Sequence, residues 1–319
     1  MGALDDLVTT TIEKRSKMVA DGVSKNNALL YKVSKGGNNK LVSGGRSIYQ
    51  ELSHAENSTV NSYSGAETLD VSQQAVLSYA EYSWKQYVGA VVLNGLEQLQ
   101  NSGPEQMLDL LDERITVAEN TLKNRISVDC YSDGTGNGGK NIGGLQLLVA
   151  DSPSTGTVGT INRATYSWWR NIVQTGVTGS ADIQSKMLAL YVQLVRGADA
   201  PDLILADNTY WTYYQTALSG IQQIVTDGST SMAAAGFPTI KYMNSEVVLD
   251  GGYGGGCPSS HMYFLNTKYI FLKTHKDRNF SVIGKGERQA VNQDATVKLI
   301  GWAGNMTMSN AFLQGVLKA

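Results

Sequence analysis

Apolar residues at helical spacing open the chain. Leu4, Leu7, Val8 and Ile12 predict a short amphipathic helix over 4–20 that ends near Asp21-Gly22. The run KGGNNKLVSGG (Lys35–Gly45) reads as a flexible polar hinge, and RSIYQEL (Arg46–Leu52) as a strand. Residues 53–74, rich in Ser, Asn, Thr and Gln, offer little apolar surface to bury, and aromatic positions return in VLSYAEYSWKQY (Val76–Tyr87). Residues 36–87 are therefore expected to form a long two-stranded ribbon with a polar tip. A lone ribbon is marginally stable in water, so it is expected to project and to gain its order by lying on another copy.

The strongest helical signal follows. Gly103-Pro104-Glu105 supplies a helix start, and Leu108, Leu111, Ile115, Ala118, Leu122 and Ile126 recur every three or four residues. This predicts a helix over 104–126, about 30 Å long at ~1.5 Å rise per residue. After the glycine-rich YSDGTGNGGKNIGG, the pattern alternates. A helix is expected from Ala181 to Arg196, closed by Gly197, then a strand Leu203–Ala206, a helix Thr209–Val225 and strands near 239–250. That is an α/β lobe, with the glycine run Gly251–Gly256 as a mobile loop at its edge. From His261 onward MYFL, YIFL and TVKLIGWAG predict antiparallel strands, and no internal repeat is visible.

Composition narrows the classes. Of 319 residues, 42% are hydrophobic and 17% charged, with a net charge of −2, which gives no field for general electrostatic binding of nucleic acid. Thirty-four glycines against five prolines, with sixteen tyrosines, point to many turns and much sheet. Cys130 and Cys257 are too few for a disulfide framework and fit a reducing compartment. The N-terminus has no apolar signal region, no stretch is apolar enough to span a membrane, and Asp6 stands where a myristoylation motif at Gly2 wants Ser or Thr.

Candidate chemistry is sparse. GTGNGGKN (Gly134–Asn141) matches a phosphate loop through Gly139 and Lys140, but Asn141 replaces the magnesium-binding hydroxyl and two glycines follow instead of a helix. Cys257 and His261 are half of a metal site at most, better explained as a turn entering a strand. Tyr166, Trp168 and Trp169, followed by Arg170, could stack on a ligand, although packing is the commoner use of such residues. No acid–base pair can be placed. No catalytic, metal or cofactor residue is expected, and the chain is read as a non-enzyme.

Several phrases in order resemble the tailed-bacteriophage major capsid protein family, the Johnson fold, from Gly36 to Ala319. They are NSYSGAETLDV (Asn61–Val71), AEYSWKQY (Ala80–Tyr87), LNGLEQLQNSGPEQ (Leu93–Gln106), YSDGTG (Tyr131–Gly136) and GTINRATYSWWRN (Gly159–Asn171). The resemblance implies an α+β chain with an N-arm at 1–35 and an E-loop at 36–87. It further implies a P-domain from 88–142 and 259–319 with a spine helix at 104–126, and an A-domain at 143–258. It implies hexamers and pentamers tiling an icosahedral shell around double-stranded DNA, assembled in a bacterial host's cytoplasm and carried in the virion. Arg46, Tyr49, Tyr63, Glu67, Tyr79, Tyr82 and Trp84 are the expected assembly contacts. The short arm implies a separate scaffolding protein; portal and decoration proteins are the other partners, and no membrane is involved. The tip from Ser53 to Gln74 has no lysine, so no covalent lysine–asparagine link through it is expected. Two alternatives remain: an encapsulin-type compartment of the same fold, and a nucleotide-hydrolysing enzyme built on Gly134–Lys140.

Overall fold

A computed structural model describes residues 27–96, 104–218, 239–251, 256–284, 288–289 and 295–319. The helix expected over 4–20 lies outside these residues. The first described element, α1 (Ala28–Lys35), is capped by Asn27, whose side-chain oxygen accepts the Leu30 amide at 3.1 Å. Asn27 also donates to Ser127 Oγ at 2.7 Å, tying the start of α1 to the long helix. Ala28, Leu29, Leu30 and Val33 are buried, and Lys32 pairs with Glu246 at 2.7 Å. Residues 28–35, expected to belong to an extended arm, are thus part of the body, because the apolar face of ALLYKV has a core to fill.

Strands β1 (Asn39–Val42), β2 (Ile48–Ser53), β3 (Leu77–Tyr82) and β4 (Lys85–Asn94) precede the long helix α2 (Pro104–Asp129). Short strands β5 (Thr157–Val158), β6 (Ile161–Asn162) and β7 (Ile172–Gln174) follow, then α3 (Ile183–Leu194), β8 (Leu203–Ala206) and α4 (Asn208–Leu218). The chain ends in β9 (Thr239–Tyr242), β10 (Ser245–Leu249), β11 (His261–Leu265), β12 (Ile270–Val282), β13 (Arg288–Gln289), β14 (Ala295–Met308) and β15 (Gly315–Lys318).

Two main sheets organise these elements. The first runs β1-β12-β14-β13, with β4 also paired to β14 along its whole length, from Lys85↔Gly304 to Asn94↔Ala295. Helix α2 packs on β4 and buries Ile115, Leu122 and Ile126, three of the positions its periodicity predicts. The side chains of Leu108 and Leu111 lie outside the described set. The second sheet has the order β7-β15-β11-β8-β10-β9, with α3 and α4 packed against it around Met187, Leu190, Tyr210 and Tyr214.

Sheet pairing departs from the linear reading in two places. The expected hinge 35–45 contains β1, held parallel to β12 from Asn39↔Leu272 to Val42↔His275. The expected lobe boundary at 258 is crossed, because β11 and β15 lie beside β8 in the second sheet. Such pairings join segments far apart in sequence, and local periodicity carries no record of them. Helices expected over 181–196 and 209–225 are found as α3 and α4; residues 219–238 lie outside the described set.

Ile115→Ala removes a side chain with no solvent exposure between α2 and the first sheet. It is expected to lower unfolding free energy by about 2–5 kcal/mol, read as an earlier urea midpoint at unchanged slope.

Candidate assembly surface

The ribbon β2–β3 has two chemically different faces. Its register is antiparallel from Ile48↔Tyr82 to Ser53↔Leu77. Along β2 burial alternates strictly: Ile48, Gln50 and Leu52 face the body, while Tyr49, Glu51 and Ser53 face out. On β3, Ala80 and Tyr82 are buried; Leu77 and Tyr79 are exposed. The ribbon is therefore not free of its own chain at its root, contrary to the expectation that it gains all its order from a neighbour.

Hydrogen bonds to the body hold the root. Met308 N–H donates to the Tyr82 hydroxyl at 3.4 Å, and Thr307 Oγ1 to Gln50 Oε1 at 3.2 Å. The Glu81 amide donates to the Gly159 carbonyl at 3.0 Å. Lys273 Nζ donates to the Tyr49 carbonyl at 2.5 Å. Gly159 has φ 59, and a Cβ there would come within 2.6 Å of Ala80 Cβ, so only glycine fits under the ribbon. Of the expected contact residues, Tyr82 belongs to this buried root. Trp84 is half-buried, donating to the Gly45 carbonyl at 3.0 Å and packing edge-on to His275. Both serve the chain's own core.

The remaining expected contacts face solvent. Tyr49 and Tyr79 meet edge to face, centroids 5.7 Å apart, on the outer surface. Arg46 is exposed just past Gly44-Gly45, and Tyr63 and Glu67 sit in the tip. Among the described residues, seven of the nineteen exposed large apolar side chains fall in this one ribbon: Tyr49, Val60, Tyr63, Leu69, Val71, Leu77 and Tyr79. Val71 is 91% exposed and Val60 79%. The tip is held by its own short-range bonds, such as Thr59 N–H to Asn57 Oδ1 at 3.0 Å and Ser72 N–H to Asp70 Oδ1 at 2.9 Å. The bond to Ser72 holds the Asp70 carboxyl below its ordinary range. Its described ion pair to the body is Glu56–Arg196 at 3.4 Å, between two exposed side chains.

The platform under the root comes from GTINRATYSWWRN. Arg163 is buried, with Nε donating to the Trp169 carbonyl at 3.1 Å, Nη1 to Leu147 at 3.1 Å and Nη2 to Leu148. Burial lowers its pKa to about 10. Trp169 Nε1 donates to the Val158 carbonyl at 2.9 Å, and Arg170 donates back to the carbonyls of Arg163 and Ala164. Trp168 lies against His54, ring centroids 4.9 Å apart. These aromatics pack the chain onto itself, and sequence periodicity gave no signal for Arg163, whose partners are all backbone.

The phosphate-loop reading fails on its surroundings. Gly134–Asn141 follows a helix, α2, and leads into a single turn at Leu145–Leu148, whereas a phosphate loop joins a buried strand to a helix. Asn141 is buried and donates to Asp129 Oδ1 at 3.2 Å; Asp129 also accepts from Tyr87 at 2.7 Å and Arg125 at 3.0 Å. The loop is thus bonded into the α2–β4 junction, and Lys140 is exposed. Cys257 donates to the His261 carbonyl, and His261 turns to Asp151 at 3.0 Å. Among the described residues no three His, Cys, Asp or Glu side chains are grouped to hold a metal, and no helix is long and apolar enough to cross a membrane.

Between α2 and β4 lies a cavity of about 650 Å³ lined by Tyr87, Val88, Val91, Val117 and Leu122, with Arg114 and Arg125 on its walls. The tip is acidic, carrying Glu56, Glu67 and Asp70 and no lysine or arginine between Ser53 and Gln74.

No family model matches the chain, and no curated protein does. Solved structures do. A subunit of the cyanophage A-1(L) capsid asymmetric unit superposes with a TM-score of 0.61 at 15% identity, over 89% of this chain and 91% of that one. The chain has the Johnson fold. The capsid of an empty GTA particle shares that fold with a TM-score of 0.55 at 11% identity, over 90% of this chain and 89% of that one. A Mycobacterium phage Bobi chain gives 0.52 at 9% identity, over 90% and 89%. The Johnson fold thus spans nearly the whole chain, as its sequence phrases implied.

Gly159→Ala is expected to push the ribbon root off its platform at a cost of about 1–3 kcal/mol. Limited proteolysis within 53–76 should then become faster while the second sheet stays protected.

Proposed function

We propose that this chain is the shell-forming subunit of a tailed phage, assembling as hexamers and pentamers around double-stranded DNA and residing in the virion. The observation that carries the reading is the ribbon: seven exposed apolar side chains on one element of a chain with the phage-capsid fold. A surface of that kind marks a site of association. In this reading β2, β3 and the tip are the E-loop and α2 is the spine helix. The first sheet with α2 makes the P-domain, and the second sheet with α3 and α4 the A-domain. The groove between α2 and β4 receives the tip of a second copy.

Each such contact is modest, and a closed shell sums many of them. A near-neutral chain suits containment of DNA better than tight phosphate binding. A separate scaffolding protein, a portal and a decoration protein are the further partners, and assembly belongs in the bacterial host's cytoplasm. An encapsulin-type compartment would share the fold; DNA in purified particles distinguishes the shell of a phage from it.

Deleting residues 55–72 removes the tip and leaves the buried root. The deleted chain is expected to unfold within about 0.5–1 kcal/mol of the parent, since the tip buries little, yet to form no shells by electron microscopy. Normal shells from it would overturn the reading.

A further inference from the structure

A second cavity, of about 320 Å³, lies at the foot of the ribbon. Separate segments of the chain wall it: Ser53 and His54 at the end of β2, Trp168 and Trp169 of the platform, Arg196 just past α3, and Phe312 between β14 and β15. Its volume falls at the lower end of the range of small-molecule sites, about 300–1,000 Å³.

The lining combines aromatic surface with donors. Trp168 is wedged in place by His54, ring centroids 4.9 Å apart, and by Trp169 at 5.7 Å. Phe312 is an apolar ring left half bare, at 50% exposure. Asn310, also in the wall, uses its side-chain oxygen to accept the Leu313 amide at 3.4 Å, which leaves its NH2 as a donor. Nδ1 of His54 is buried without a partner among the described residues. Arg196 adds a permanent positive charge, and no described acidic side chain lines the cavity. What that guanidinium takes is already visible: the Glu56 carboxylate lies 3.4 Å from Nη2, with the two side chains 69% and 92% exposed. A single long contact between two exposed groups is weak and easily displaced.

We propose that this cavity binds a small aromatic carboxylate, its ring against Phe312 and the tryptophans and its charge on Arg196 in place of Glu56. Because the walls belong to the ribbon and to the second lobe together, lifting the ribbon dismantles the site. An occupied site therefore ties the ribbon down.

Calorimetry of the full chain with cinnamate tests the site, with cinnamamide as the ring without the charge and acetate as the charge without the ring. Cinnamate is expected to bind about tenfold or more tightly than either. Absence of cinnamate binding, or equal binding of either control, overturns the proposal. Arg196 and Phe312 are exposed, so replacing them leaves the core intact. Arg196→Gln is expected to weaken cinnamate binding roughly tenfold and Phe312→Ala about fivefold. Wild-type affinity in either variant refutes the site. Glu56→Gln removes the competing carboxylate and is expected to tighten binding about two- to fivefold; unchanged or weaker binding refutes the displacement. The Glu81 amide, which donates to the Gly159 carbonyl beneath the ribbon, reports on lifting. With cinnamate at about ten times its dissociation constant, hydrogen exchange there should slow roughly tenfold, and an unchanged rate overturns the tie to the ribbon.

Discussion

An antiparallel pair of strands has two faces, and a single chain of this design can cover only one of them in β2–β3. The inner face carries Ile48, Leu52, Ala80 and Tyr82 and is closed by Gly159, Thr307 and Met308. The outer face carries Tyr49, Leu77 and Tyr79 and has no cover in the described chain. Burying the inner face anchors the ribbon at a fixed angle to the body. Leaving the outer face bare makes it available to another molecule, at the cost of water around apolar surface. Both properties follow from strict alternation along a strand.

The rest of the body is arranged to make that anchor stiff. Arg163 gathers the carbonyls of Leu147, Leu148 and Trp169 on one guanidinium. Asp129 gathers Tyr87, Arg125 and Asn141 at the end of α2, so that β4, the helix and the glycine-rich loop move together. Both hubs are one polar side chain serving several segments, and a fully satisfied hub of this kind fixes a unique arrangement.

Much of the α+β order could be read from the chain alone. The period of α2 survived into Ile115, Leu122 and Ile126, and the apolar run Leu203–Ala206 became a fully buried strand. Alternation puts Tyr79 and Tyr82 on opposite faces of β3, but which of the two meets the body was not legible, because that depends on what the rest of the chain packs beneath the ribbon. Hubs were invisible for a related reason: Arg163 and Asp129 take partners from backbone or from residues scattered over the chain. Strand β1 leaves no trace in the hinge sequence, because a strand of four residues with one apolar pair, Leu41-Val42, has no period to detect.

The position of β15 has a consequence for synthesis. Residues 315–318 lie between β7 and β11 in the middle of the second sheet, not at its edge. Until those residues leave the ribosome, β7 and β11 have no partner on their facing sides, and the lobe cannot close. The first sheet likewise waits for β14, which lies between β12 and β13 and also pairs with β4, and the second sheet is finished later still. Completion of the lobe thereby waits on residues 315–318, so a chain stopped short of them lacks a strand from the interior of that sheet.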